Sequence, residues 1–255
     1  MTSLAAAAPS SSRWSAEEWQ RRVDLAACYR LIARFGMTDL IYTHISARVP
    51  GTRDQFLING YGLLFEEITA SSLVKIDLDG KAVEESNYDV NPAGFTIHSA
   101  IHQTRHDAEC VVHTHTVPGM AVAAQEEGLL PLNQMSMEFY GRVAYHDYEG
   151  ISLELDERER LQRDLGDKSC MILRNHGLLT VGHTVPAAFS LMYYLNKACE
   201  LQVAALAGNR PLVMPPPEVC EHAAGQFNVG TPTSGMREWH ALLRRLDREE
   251  PDYKS

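Results

Sequence analysis

Two histidines, one residue apart, end a stretch that otherwise has the character of a buried strand. The segment CVVHTH places His113 and His115 directly after apolar residues. Because side chains alternate between the two faces of a strand, both imidazoles should project from the same face. Such a pair can bind a metal ion, since histidine is the commonest metal ligand. Half-buried histidines at a strand end can equally hydrogen-bond to water or backbone, so the pair alone leaves both interpretations open.

A third candidate ligand follows another predicted strand, CMILRN (170–175). There, His176 is flanked by Asn175 and Gly177, and the glycine lets the backbone take an unusual conformation or come close to another group. A single histidine at a strand end is more often structural than ligating. Together with His113 and His115, however, His176 completes a set of three imidazoles that suits a divalent ion.

Two further histidines, His98 and His102, lie one helical turn apart on a predicted helix. No acid completes a metal site around them, and Ile97 and Ile101 mark the buried face of that helix. We therefore expect His98 to face the substrate or to support the metal ligands, and His102 to be exposed.

The elements that must position these residues alternate between strands and helices. A capping box at Ser15-Ala16-Glu17-Glu18 begins the first helix, which should end near Phe35. Three short β-rich segments bounded by turn residues predict an antiparallel meander. The predicted strands are 43–49, 56–58, 73–78, 110–115 and 170–175, with a β-like stretch at 137–145, and the predicted helices are 93–105, 153–165, 184–207 and an amphipathic segment at 236–246.

Composition and charge exclude several classes of protein. The chain has 255 residues and 45% hydrophobic content, enough for one α/β domain or two small ones. A net charge of −10 argues against nucleic acid as a partner, because Lys and Arg supply most of that affinity. No secretion signal and no apolar run of about 18 residues occurs, so we expect a cytoplasmic protein that does not bind a membrane. Residues 1–13 should form a disordered Ala/Ser-rich tail.

Several segments taken together resemble the class II aldolase/adducin family. They are THISARVPG (43–51), FTIHSAIHQTR (95–105), the His-Thr-His strand, VAYHDYEG (143–150) and the Asn-His-Gly turn. The resemblance implies an α/β fold, a three-layer α/β/α sandwich around a central, mainly antiparallel sheet, in a domain at 14–208. It also implies a cyclic homotetramer. Residues 209–255 would form a C-terminal arm.

The resemblance also implies a site. One divalent ion per chain, Zn, Fe or Mn, would be bound by His113, His115 and His176. Tyr145 aligns with the family's tyrosine that donates a proton from a neighbouring subunit, although it could equally be a core aromatic of a strand. His44 lies in the segment with which the aldolases bind substrate, so both His44 and His98 are candidate substrate-binding residues.

The sequence departs from the sugar-phosphate aldolases of this family at the acidic position. Where those enzymes carry a glutamate four residues before a histidine, this chain has Gly94 before His98, as in an adducin-like branch that lacks the catalytic Glu. The phosphate-binding pairs are replaced by Thr43-His44 and Tyr61-Gly62. A sugar phosphate is therefore not the expected substrate. Asp147, Tyr148 and Glu149 could each replace the missing acid.

Three neutral imidazoles leave the full double charge on a bound ion, which makes it a strong Lewis acid. We therefore expect a metal-dependent C–C lyase that performs retro-aldol cleavage or decarboxylation on a small hydroxy or keto compound, carboxylated or aromatic. Two alternatives remain. Three histidines around Fe(II) could serve an oxygenase, and an adducin-like domain could serve assembly without catalysis. The intact histidine set argues against the second alternative.

Overall fold

A computed structural model describes residues 13–227, 231 and 233–255 of the chain. The predicted tail therefore lies outside the described residues, apart from Arg13. The strands are β1 (His44–Arg48), β2 (Gln55–Ile58), β3 (Val74–Asp77), β4 (Cys110–Thr114), β5 (Val143–His146), β6 (Cys170–Leu173) and β7 (Gly177–Gly182). The helices are α1 (Ala16–Arg34), α2 (Pro92–Thr104), α3 (Val117–Ala123), α4 (Gln134–Met137), α5 (Glu157–Leu165), α6 (Val185–Ala207), α7 (Pro217–Gln226) and α8 (Met236–Glu249).

The strands form one sheet in the order β3-β2-β1-β4-β7-β6-β5. All neighbouring strands are antiparallel except β5 and β6, which are parallel. The predicted meander is confirmed as β1, β2 and β3. The middle of the sheet consists of β1, β4 and β7, and it carries the histidines: His44 of β1 lies directly opposite His113 of β4.

Helices cover both faces of this sheet. Along β4, Cys110 and Val112 face the layer formed mainly by α1 and α6, whereas Val111 faces the layer of α2 and α5. The same alternation in β6 and β7 extends these two clusters, one on each side of the sheet, and β2 and β3 contribute a third, smaller cluster. The three-layer sandwich around a mainly antiparallel sheet is therefore confirmed.

The helices begin where the cap residues predict. The Ser15 hydroxyl accepts a hydrogen bond from the Glu18 backbone N–H at 3.1 Å, and Thr184 caps α6 in the same way. Asn91 caps α2, with Pro92 in the first turn, where its missing N–H costs nothing. The Asn91 cap fixes the start of α2, and with it the positions of His98 and His102.

The C-terminal segment shares the core of the α1 and α6 layer. Trp239 and Leu246 of α8 and the following Tyr253 are buried there. The Arg30 guanidinium binds the Asp252 carboxylate at 2.8 Å, and the Ser71 N–H donates to the Ser255 carbonyl at 2.9 Å. These contacts tie residues 236–255 to the body of the chain.

Several predicted elements were wrong in extent or missing. The stretch predicted as β-like at 137–145 is a strand only from Val143, because its first residue ends the short helix α4 and residues 138–142 form turns. The charged helix begins at Glu157 rather than at 153. Strand β7 and helix α7 were not predicted: β7 follows β6 across a three-residue turn, and α7 begins within a proline run that suggested a loop.

Among the described residues, no helix is both long enough and apolar enough to cross a membrane.

Candidate metal centre

The three predicted ligands lie together at the ends of two central strands, β4 and β7. His113 is near the end of β4, His115 follows that strand, and His176 directly precedes β7. One ring nitrogen from each of them lies within 4.8 Å of the others. The ring centre of His176 is 4.8 Å from the ring centres of both His113 and His115. The fold therefore brings together the set of imidazoles that the sequence indicated.

The turn before β7 explains how His176 reaches the other two. A Cβ atom at Gly177 would lie 2.4 Å from the Thr114 carbonyl oxygen, so only glycine permits this approach of β7 to β4. Asn175 has a φ of +56°, in the left-handed region that asparagine tolerates better than most residues. The backbone at this point therefore requires Gly177 and favours Asn175, the two residues that flank His176.

The proton positions on two of the rings follow from their hydrogen bonds. Nδ1 of His113 lies 2.9 Å from the Leu178 carbonyl oxygen, and Nδ1 of His115 lies 2.9 Å from Oδ2 of Asp39. Carbonyl and carboxylate oxygens accept hydrogen bonds, so both Nδ1 atoms must donate. In a neutral imidazole the proton on Nδ1 leaves Nε2 as a bare lone pair.

These two bare nitrogens face each other. Nε2 of His113 lies 2.9 Å from Nε2 of His115, and when both rings are neutral there is no proton to place between them. Burial lowers the pKa of His113 well below its usual value, and the neighbouring imidazoles lower it further, which disfavours a shared proton. A divalent cation relieves this repulsion. The donor set therefore fits such an ion, and the Asp39–His115 pair has the form in which carboxylates orient metal-bound histidines.

His176 completes the set as a neutral ligand. Burial, followed by the nearby His115 and His146, lowers the pKa of His176 to about 4, so its imidazole is uncharged at neutral pH. The three rings thus provide nitrogen lone pairs without any ligand charge. Asp39, the acidic residue among the described residues that line the site, contacts His115, and its side chain is 42% exposed.

The histidines open into a cavity of about 480 Å³. Its remaining wall is largely aromatic and aliphatic, with Tyr42, Tyr61, Tyr148, Ile151 and Leu153. None of the described residues that line it is Arg or Lys. An anionic group in this cavity would therefore have no cationic side chain to bind, which agrees with the missing phosphate-binding pairs.

His44 lines this cavity beside the metal ligands, as expected for a substrate-binding residue. Its ring centre lies 5.0 Å from that of His113. A Cβ atom at Gly94 would lie 2.7 Å from Cδ2 of His44. The ring therefore takes up the space that any side chain at position 94 would need. The glycine at position 94 and the imidazole of His44 therefore depend on each other, because the ring leaves no room for a side chain at position 94.

His98 lies behind His44 rather than in the cavity wall. It is fully buried, its Nε2 lies 2.8 Å from Nδ1 of His44, and its Nδ1 is hydrogen-bonded to the Ser46 hydroxyl. With both ring nitrogens already bonded, His98 supports His44, and the alternative of a direct substrate contact is wrong for this geometry.

The expectation that His102 is exposed was also wrong. It is fully buried, with Nε2 2.7 Å from the Ser46 hydroxyl and its ring stacked on Phe56. Two spacings in the sequence could have indicated these contacts. His44 and Ser46 are two residues apart on β1, and His98 and His102 are four residues apart on α2. Each pair therefore lies on one face of its element.

Tyr145 does not line the cavity of its own chain. Its hydroxyl accepts a hydrogen bond from the Leu129 N–H at 3.0 Å, and the Arg174 guanidinium lies over its ring at 4.3 Å. A role at a neighbouring subunit's site stays a prediction. Tyr148, three residues later, does reach the cavity, with its ring centre 6.3 Å from that of His176.

Asp39 was not predicted. It lies between α1 and β1, far from His115 in sequence, and no spacing rule connects the two residues. Only the fold shows that this carboxylate holds the His115 ring.

Comparison with known proteins identifies relatives that share this fold. Residues 23–203 match the family model described as Class II Aldolase and Adducin N-terminal domain. A solved aldolase II superfamily protein from Pseudomonas syringae is 55% identical, with a TM-score of 0.90 over 95% of this chain and 98% of that one. An L-fuculose 1-phosphate aldolase from Glaciozyma antarctica is 27% identical, with a TM-score of 0.84 over 98% of this chain and 97% of that one.

The adducins are related as well. Alpha-adducin of Rattus norvegicus is 45% identical over 243 residues, which are 89% of this chain but only 33% of the adducin. With the family model matched over most of its length and the three-layer fold in place, this chain belongs to the class II aldolase and adducin N-terminal domain family.

Proposed function

We propose that this protein is a metal-dependent C–C lyase that acts by retro-aldol cleavage or decarboxylation on a small hydroxy or keto compound, carboxylated or aromatic. The observation that carries the proposal is the approach of Nε2 of His113 to Nε2 of His115, 2.9 Å apart, while the Nδ1 atom of each ring faces a hydrogen-bond acceptor. As the resemblance to the class II aldolases implies, the enzyme would work as a homotetramer, and we place it in the cytoplasm.

His113, His115 and His176 would hold one Zn, Fe or Mn ion per chain. When bound, such an ion supplies Lewis-acid chemistry by withdrawing electron density from a substrate oxygen. The protein's own residues would orient the metal ligands. Asp39 and the Leu178 carbonyl keep the ring nitrogens aimed at one point, so that little reorganisation accompanies the reaction.

The cavity wall supports the substrate class. Because none of the described lining residues is Arg or Lys, a substrate carboxylate would have to bind beside the histidines. The rest of the substrate would lie against Tyr42, Tyr61 and Tyr148, whose rings favour an apolar or aromatic group. A phosphorylated sugar suits neither part of this cavity.

The first prediction concerns Asp39. Asp39→Ala removes the acceptor that fixes the His115 ring, and we expect the affinity for Zn²⁺ to fall by about 10- to 100-fold, as for other carboxylates that support metal-bound histidines. Competition against a chromogenic chelator measures this change. Asp54→Ala, at another exposed aspartate, is the matched control and should bind Zn²⁺ normally. Equal affinities in the two variants would contradict the supporting role of Asp39.

The second prediction concerns the reaction. Protein stripped of metal and reloaded with Zn²⁺, Mn²⁺ or Fe²⁺ is tested on a panel of small hydroxy and keto acids, with a CO₂ assay beside an oxygen electrode. We expect anaerobic turnover with a redox-inert ion, and no condensation of dihydroxyacetone phosphate with an aldehyde. Turnover that requires both Fe²⁺ and dioxygen would instead identify an oxygenase. Binding of metal without turnover on the panel would favour the alternative of an assembly domain without catalysis.

The third prediction concerns Tyr145. If this tyrosine acts at a neighbouring subunit's site, mixed oligomers of Tyr145→Phe and His113→Ala should recover part of the lost activity, because some sites then contain both intact residues. Mixtures of His113→Ala with His176→Ala should stay inactive, since both changes affect the same ligand set. A monomer by light scattering, or no recovery in the first mixture, would rule out the shared site.

A further inference from the structure

A second cavity, of about 320 Å³, lies between α6, α8 and the residue that ends α1. Its wall is built around four aromatic side chains, Phe35, Phe189, Tyr193 and Tyr194. None of its described lining residues also lines the cavity of the histidines. A ligand bound in this aromatic cavity would therefore not contact the metal ligands.

The aromatic rings are inclined to one another. The ring centres of Tyr193 and Tyr194 are 5.2 Å apart, and their planes meet at 84°. Phe35 meets Tyr193 at 65°, with ring centres 4.9 Å apart. Rings at such angles can direct more than one π face at a small group, and each face is the negative part of the ring's charge distribution. This arrangement suits a cation, above all an organic ammonium ion.

The charge of the aromatic cavity has the sign that a cation requires. Glu238 is the charged residue among its described lining residues, and neither Arg nor Lys occurs among them. Glu238 is exposed and forms no ion pair within the described part of the chain. Burial, followed by the charges of Glu238 and Glu138, raises the pKa of the Tyr194 hydroxyl, so this phenol stays neutral beside the carboxylates.

One ring of the aromatic cavity already contacts a cation. Nζ of Lys197 lies 5.9 Å from the ring centre of Tyr193, within the distance at which a π face attracts an ammonium group. Lys197 does not line the cavity, and its ammonium pairs with Glu200 at 2.6 Å. The Tyr193 ring is therefore accessible to cations in this fold.

An adjoining cavity of about 830 Å³ shares Tyr194 and Glu238 with the aromatic cavity. It adds a second carboxylate, Glu138, whose pKa is raised to about 7 by burial and further by Glu238. Arg237 and His240 also line this adjoining cavity, so its charge is mixed. The aromatic cavity is thus the better place for a positively charged group.

We propose that the aromatic cavity binds a small organic cation with an alkylated ammonium group, held by the rings of Tyr193 and Tyr194 and by the Glu238 carboxylate. Alkylation matters because a primary ammonium is strongly hydrated and would lose water contacts that aromatic rings replace poorly. The site is independent of the proposed lyase function, because it requires neither the metal nor the residues that would hold it.

An NMR titration of the protein with choline tests the site, because choline carries a trimethylammonium group. The matched probe is the neutral alcohol in which a carbon atom replaces the nitrogen of choline. Since the two probes have the same shape and differ in charge, we expect the neutral analogue to bind at least about 10-fold more weakly. Equal affinities for the two probes, or no binding of choline, would overturn the proposal.

Variants locate the bound ion. Tyr194→Leu and Glu238→Gln should each weaken choline binding by about 5- to 30-fold and leave binding of the neutral analogue unchanged. Tyr194→Phe retains the ring and should bind choline like the unmodified protein. Glu159→Gln, at an exposed glutamate of α5, is the control for the loss of one negative charge. Full choline affinity in both Tyr194→Leu and Glu238→Gln would overturn the assignment to this cavity.

A further variant separates this site from the metal centre. His176→Ala should bind choline normally, since His176 does not line the aromatic cavity. Absence of metal or of lyase activity would then refute the proposed function without affecting the cation site. Loss of choline binding in His176→Ala would place choline at the histidines instead, and would overturn the proposal.

Discussion

The close approach of two imidazole nitrogens, one from His113 and one from His115, sets the central constraint on this site. Nε2 of His113 and Nε2 of His115 are 2.9 Å apart because both Nδ1 atoms donate elsewhere, to the Leu178 carbonyl and the Asp39 carboxylate. A folded chain gains nothing from opposed lone pairs in a partly buried place, since each is desolvated and unpaired. The strand register, Gly177 and Asp39 all maintain this arrangement, which suits the binding of a divalent cation.

A second constraint couples His44 to Gly94. The imidazole fills the space in which a side chain at position 94 would lie, so the site contains an uncharged ring where the related aldolases have a carboxylate. Together with three neutral ligands, this leaves the charge of an ion uncompensated except through Asp39. The cavity adds aromatic and aliphatic walls without a lysine or arginine among its described lining residues. Both features favour a small substrate that brings its own negative or polar oxygen to the ion.

The sequence predicted what local periodicity and motifs encode. Alternation along β4 placed His113 and His115 on one face, the caps at Ser15 and Thr184 marked helix starts, and the turn residues marked the meander. It did not reveal Asp39, whose contact with His115 joins segments far apart in the chain. Nor did it reveal that Ser46 and His102 meet, because the packing of α2 on β1 is a tertiary property. Strand β7 was not predicted, because the Asn-His-Gly turn indicated the end of the strand at 170–175 and the apolar residues after it were assigned to no element.

The most direct test of this account is the metal content of protein purified without a polyhistidine tag, measured by elemental mass spectrometry for the unmodified chain and for His176→Ala. His176→Ala removes one of three ligands but neither of the hydrogen bonds that orient the other two. The account predicts one divalent ion per unmodified chain and a large loss of that ion in His176→Ala, with both proteins folded by circular dichroism. An ion that is absent from the unmodified chain, or fully retained in His176→Ala, would contradict a metal centre at these histidines.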